Sequence, residues 1–165
     1  TTTSGIKINI DNPNEVGADR IANAVAAASL YKEGTFIIDS GTAITLDIVT
    51  PQKEYVGGAI MPGIIISMEA MSIKTAKLPR FELDRPEKAI GRSTLAGLQS
   101  GVFFGFVGMI DRVIEESLKE VDFTPKIIST GGLAGALTTA SKYISEFDRD
   151  LTLKGLNIIA SLNRR

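Results

Sequence analysis

The chain has 165 residues, a formal net charge of −1, 44% hydrophobic and 22% charged residues, which fits one globular domain large enough for a real core. It contains neither Cys nor His, which excludes disulfides, thiolate nucleophiles, imidazole bases and zinc sites built on N or S ligands, so any chemistry must use carboxylates, hydroxyls, backbone groups and cations. Lys and Arg gather nowhere along the chain, so nucleic acid is not an expected partner.

The opening Thr1-Thr2-Thr3-Ser4-Gly5 lacks an initiator Met, which points to upstream sequence beyond this chain. It also lacks a charged-then-apolar leader, which leaves the cytoplasm as the expected compartment. Ile6, Ile8 and Ile10 alternate with Lys7 and Asn9 and predict a half-buried strand that stops at Asp11-Asn12-Pro13-Asn14. Glu15-Val16-Gly17-Ala18-Asp19-Arg20 then opens a helix with Ile21, Val25 and Ala28 on its apolar face. Asp19 is either the helix N-cap or, beside Arg20 at the helix mouth, a general base that orients a substrate hydroxyl.

A β-rich run from Thr35 to Ile38 ends at Asp39, Ser40-Gly41-Thr42 makes a turn, and Ile44, Leu46 and Ile48 alternate beyond it. This is a hairpin. Its tip either serves the turn alone or, with a carboxylate, a permissive glycine, a hydroxyl and turn N–H groups, cradles a polyphosphate and its cation. Next comes a short strand holding Gly57-Gly58, whose glycines serve tight packing or close approach of a backbone or ligand, and a Pro62-Gly63 turn before a helix over 64–73. The stretch from Thr75 to Lys88 has no periodicity and reads as a long excursion near a site or interface.

Thr94 offers a hydroxyl N-cap to a long helix over 95–118, on which Gly97, Gly101 and Gly105 form a stripe every fourth residue. Such a stripe lets another helix come close, within or between subunits. The apolar run over 97–110 is shorter than the roughly 18 residues a membrane span needs and reads as a buried helix. Lys126 to Ser129 is a short buried strand, Thr130-Gly131-Gly132 turns into a helix over 133–142 in a nucleotide-friendly arrangement, and the stretch from Leu151 to Leu156 leads into a final short helix.

Taken together, Glu15 to Arg20, Asp39-Ser40-Gly41-Thr42-Ala43, Gly57 to Gly63, Thr75-Ala76-Lys77-Leu78-Pro79, Ile90-Gly91-Arg92-Ser93-Thr94 and Thr130-Gly131-Gly132-Leu133 resemble the ordered motifs of type III pantothenate kinases. The resemblance implies an α/β protein of the actin-like, ribonuclease-H-like ATPase (ASKHA) fold, a mixed sheet flanked by helices, working as a homodimer. It implies transfer of a phosphoryl group from ATP, with Mg2+, to the primary hydroxyl of pantothenate, the first step of coenzyme A synthesis. On the motif matches, Asp19 would accept the hydroxyl proton, while Gly17, Ala18, Arg20 and Thr94 would hold pantothenate. Asp39 would bind a monovalent cation, K+ or NH4+, with Thr42 and Gly41 at ATP and Gly131 and Gly132 toward its adenosine end.

Two departures accompany the match. The family's Asp-x-Gly-Asn-Thr phosphate loop, carried in an N-terminal half, is not in this chain, which would therefore be mostly the C-terminal half, inactive alone. Ile10 stands where many members place a substrate-contacting Tyr. A catalytically idle relative acting as a regulatory or accessory binding protein is the alternative, and retention of Asp19 and Asp39 speaks against it.

Overall fold

The computed structural model describes residues 4–74 and 81–164. In chain order it contains β1 (Lys7–Ile8), a 3-10 turn (Pro13–Glu15), α1 (Ala18–Leu30), β2 (Thr35–Ser40), β3 (Ile44–Val49), β4 (Glu54–Met61), α2 (Ile64–Lys74), α3 (Thr94–Leu118), β5 (Lys126–Thr130), α4 (Ala134–Thr138), β6 (Glu146–Phe147) and α5 (Leu151–Leu162). The Thr75 to Pro79 motif lies outside the described residues.

The strands form one six-stranded sheet in the order β1-β4-β3-β2-β5-β6. The hairpin pairs β2 with β3 antiparallel from Thr35↔Val49 to Ser40↔Ile44, as the alternation predicts. β4 completes an antiparallel meander, β5 joins β2 in parallel on its other side, and β6 joins β5 in parallel. Only β3 runs against the other five strands. The sheet is mixed and flanked by helices on both faces, and a meander extended by two parallel strands beside its first strand is the ribonuclease-H-type order.

Both faces of the central strands are covered, which is why β2 and β5 are apolar at successive positions. Phe36 and Ile38 of β2 enter one core with Ile64 and Met68 of α2, Phe103, Ile110 and Ile114 of α3 and Leu137 of α4. Ile37 points the other way, into a core with Ile128, Tyr55, Leu151 of α5 and the alanines of α1. Those alanines keep α1 thin, so α5 rests on its backbone: a Cβ added to Gly155 would stand 1.8 Å from the Ala22 carbonyl oxygen.

Several expected elements differ in extent. The strand around Ile6 to Ile10 is only Lys7–Ile8, because β4, its one partner among the described residues, accepts it at two residues. The helix after Gly132 is the short α4, the stretch from Leu151 to Leu156 is already the first half of α5 rather than a lead-in to it, and β6 lacks the length for an alternation to reveal it. Gly58 admits a backbone, since a Cβ there would lie 1.7 Å from the Leu46 carbonyl oxygen of the neighbouring strand, whereas Gly57 serves the chain's conformation, with φ +107° and only the Ile10 side chain near its missing Cβ.

α3 has the expected extent, one residue longer at its start, and over its 25 residues, unlike the apolar run 97–110 alone, it is long and apolar enough to cross a membrane by length and composition. One face, with Val102, Phe103, Val107, Ile110 and Ile114, is buried against the sheet. The opposite face carries the glycine stripe. A Cβ added to Gly97, Gly101 or Gly105 would meet nothing within 4 Å, so no other helix of the described residues packs on that stripe.

Candidate active site

The C-terminal ends of parallel strands gather ligands in open α/β sheets because turns and helix N-termini converge there. Here β2 and β5 are paired as far as Asp39↔Thr130, which brings the Asp39-Ser40-Gly41-Thr42 tip beside the Gly131-Gly132 turn. The closeness of the two turns demands glycine. Gly131 has φ +96°, and a Cβ on it would stand 2.7 Å from both Asp39 Oδ1 and the Ser40 carbonyl oxygen. From the other side Gly63 braces the tip, since a Cβ there would be 1.8 Å from the Thr42 carbonyl oxygen. Thr42 and Gly132 remain exposed.

Asp39 is half-buried. Its Oδ2 accepts a 2.8 Å hydrogen bond from Asn23 Nδ2, and among the described residues no hydrogen bond reaches Oδ1. Burial pushes the Asp39 carboxyl above the ordinary aspartate range, the Asn23 hydrogen bond pulls it back, and the charges of Asp19 and Asp47 add to the upward push. Of these two neighbours only Asp19 is exposed, beside the cleft between the hairpin tip and the end of α1, whereas Asp47 is fully buried. A carboxylate oxygen without a protein donor, close to a backbone carbonyl, is a hard-oxygen donor set suited to an alkali or ammonium cation.

Gly17, Ala18 and Asp19 are exposed at the N-terminal end of α1. Gly17, not Asp19, is the N-cap. The Asp19 carboxylate folds back over Gly17, where a Cβ would lie 2.5 Å from its Oδ1, and Oδ1 accepts from the Arg20 backbone N–H at 2.9 Å. The space left by Gly17 is thus filled by the chain's own carboxylate.

Arg20 turns away from Asp19 and into the protein. Its Nε donates to Asp47 Oδ1 at 2.7 Å and its terminal nitrogen lies 2.7 Å from the same oxygen. Asp47 is fully buried on β3 and also accepts from the Tyr55 hydroxyl at 2.8 Å and from Thr45 Oγ1 at 2.9 Å. The guanidinium sits 5.8 Å from the centre of the Tyr55 ring. Burial works against the Arg20 charge, but the Asp47 hydrogen bond and charge outweigh it and raise its pKa. Burial, with the charge and hydrogen bond of Asp47, likewise pushes the Tyr55 hydroxyl upward. This network anchors α1 to the sheet and so fixes where Asp19 stands.

Thr94 is not brought to this cleft. The cap of α3 is Ser93, whose hydroxyl oxygen accepts from the Ala96 N–H at 3.2 Å, so Thr94 is the first helical residue and not the cap. α3 also covers the opposite face of the sheet from α1. Thr94 lies instead at one end of a groove of about 480 Å3 that continues along Gly97, Gly101 and Gly105.

Asp47, Tyr55, Asn23 and Thr152 belong to the site's framework although no motif marks them. Asp47 alternates with apolar neighbours and so resembles a solvent-facing strand position. Asn23, a polar residue inside an alanine-rich helix that is buried nearly all round, is the one signal in the sequence that this helix meets a polar partner.

Residues 1–116 match the protein family described as type III pantothenate kinase. A type III pantothenate kinase of Finegoldia magna is 51% identical over 164 residues, covering 98% of this chain and 63% of that protein. One from an Anaeromyxobacter species is 47% identical over 161 residues, with the same shares of the two chains. The chain thus spans a little under two thirds of the length of these curated relatives. Among solved structures, a Campylobacter jejuni protein described under the Baf family of transcriptional activators superposes with a TM-score of 0.66 at 28% identity, over 90% of this chain and 65% of that one.

Proposed function

The chain belongs to the type III pantothenate kinase family, and from that premise we propose that the whole protein transfers a phosphoryl group from ATP to the primary hydroxyl of pantothenate, in the cytoplasm, as the first step of coenzyme A synthesis. The observation that supports this most is the Asp39 hairpin tip packed against the Gly131 turn and tied by Asn23 to α1, the helix whose mouth carries an exposed Asp19.

Phosphoryl transfer asks the protein mainly for positioning and charge neutralisation, which a site without His or Cys can supply. Asp19 is the general base: one oxygen is held by the Arg20 N–H, and the other is available to take the proton of the pantothenate hydroxyl. Gly17 and Ala18 offer backbone to pantothenate. Gly41, Thr42, Gly131 and Gly132 form the cradle on the nucleotide side, and Asp39 holds the monovalent cation. Bound ATP supplies the transferred group, with Mg2+ and K+ or NH4+ offsetting its negative charge. Arg20 acts by anchoring α1 through Asp47.

In the intact protein that carries this chain, formation of phosphopantothenate from pantothenate and labelled ATP tests the activity, and Asp39→Asn tests the cation site. The variant should lose K+ and NH4+ stimulation, since an amide keeps the shape but not the charge that binds the ion. An unchanged cation response removes Asp39 from that role.

The open glycine face of α3 is proposed to meet the same face of a second copy. Its groove is lined by Met71, Leu98, Val102, Phe106 and Met109 as well as the glycines, an apolar surface of the kind that homodimers bury. A homodimer would also explain why Thr94 sits on this groove rather than in its own chain's cleft. Gly101→Leu should fill the groove and shift the sedimentation profile of the intact protein toward monomer, and an unaltered profile refutes the interface.

A second reading, a catalytically idle regulator, is favoured only by the description of the C. jejuni protein. Absence of phosphopantothenate formation by an intact protein that still binds ATP would support it.

A further inference from the structure

Asn23 is fully buried in α1, and its amide bonds to two partners outside its own helix. Nδ2 donates to Asp39 Oδ2 at 2.8 Å, while Oδ1 accepts from the Thr152 hydroxyl at 2.7 Å. The sense of this chain is fixed by chemistry. A carboxylate only accepts, so the amide must turn its nitrogen to Asp39; its oxygen then faces α5, and only a donor can satisfy it there. Thr152 is close enough because Gly155, one turn further along α5, lets that helix rest on the Ala22 carbonyl.

The consequence appears at the other end of the chain. Asn23 engages Oδ2 of Asp39 and leaves Oδ1 turned to the Gly131 backbone, beside the Ser40 carbonyl oxygen. Oδ1 is thereby the oxygen that lies between the two glycine turns, with no hydrogen-bond donor among the described residues. We propose that Asn23 and Thr152 are positioning residues for Asp39: α5, through the Thr152 to Asn23 to Asp39 hydrogen-bond chain, decides which carboxylate oxygen faces the cleft and so sets the affinity of the cleft for a monovalent cation. This rests on the assignment of Asp39 as the cation ligand. A purely structural pair, there only to satisfy buried polar atoms between two helices, would affect stability and leave the cation response untouched.

The test compares wild type, Thr152→Val, Thr152→Ser and Asp39→Asn in the intact protein, reading thermal stability and the K+ concentration that gives half-maximal activity. Val keeps the shape of Thr but cannot donate, so the buried Asn23 oxygen loses its partner and the amide is free to turn. Half-saturating K+ should rise about tenfold in Thr152→Val, the effect of weakening one hydrogen bond to a charged group, and Ser should restore it. A Thr152→Val protein that melts lower but keeps the wild-type K+ response overturns the proposal.

A second measurement uses the unmodified protein. The Asn23 side-chain amide resonances should shift on adding KCl, but not on adding the same concentration of tetramethylammonium chloride, with a midpoint matching K+ activation. Resonances that do not move with K+ overturn the proposal. An Asp39→Asn variant with normal K+ activation refutes the cation assignment itself, whereas an altered Asp39→Asn response beside an unaltered Thr152→Val response refutes only the hydrogen-bond chain.

Discussion

Replacing Asp19 by Asn in the intact protein should lower turnover by about 10²–10⁴-fold, the usual contribution of a general base, while nucleotide affinity stays near wild type. The structure makes this substitution informative. Gly17 caps α1, and the one hydrogen bond that the Asp19 side chain makes among the described residues, accepting from the Arg20 N–H, can be made equally by the carbonyl oxygen of Asn. Helix and cleft should therefore persist, and what disappears is the proton acceptor. Steady-state turnover with pantothenate and ATP, measured alongside nucleotide binding, checks this. Near-normal turnover would remove Asp19 from the chemistry, and a parallel loss of ATP affinity would mean that the substitution had disturbed the cradle.

Arg20→Met should act through stability. It keeps most of the packing volume but leaves Asp47 fully buried with, among the described residues, only the Tyr55 and Thr45 hydroxyls as donors. Removing one partner of a buried ion pair costs about 3–5 kcal/mol, because the remaining charge has no counterion. For a protein of this size the melting temperature should fall by on the order of 10 °C. Had Arg20 served mainly to grip pantothenate, the variant would raise KM and melt normally. Adding Asp47→Leu to Arg20→Met should recover part of the lost stability, since the stranded charge is then gone. Thermal unfolding of the two variants decides between the roles, and an unchanged melting temperature in the single variant would refute the anchoring role.

The relation between Arg20 and Asp19 shows how adjacency in sequence misleads. Side by side at a helix mouth, they read as one substrate-facing pair. A helix turns successive residues by about 100°, so Asp19 can face the cleft while Arg20 faces the sheet, where Asp47 waits 27 residues away. Thr94 illustrates a second limit. Its hydroxyl at the start of a long helix reads as a cap, yet the cap is its neighbour Ser93 and Thr94 is the first helical residue.

What the sequence determined by itself was the short-range part of the design. Alternation and a glycine turn specified the hairpin and its register, because strand pairing across a tight turn involves neighbours in the chain. The same local signals marked where α1 opens, where β5 breaks at Gly131-Gly132, and that a carboxylate stands at the hairpin tip. The tertiary structure decided which of those groups meet. Asp47 alternates like a surface residue but is buried because α1 and Tyr55 cover that face, a fact set by packing across the sheet. Asn23 is held by Thr152 across a separation of 129 residues, and no local pattern encodes a partner so distant. The glycines of α3 were legible as a bare face, but whether a helix of the same chain covers it depended on where every other element came to rest, and among the described residues none does.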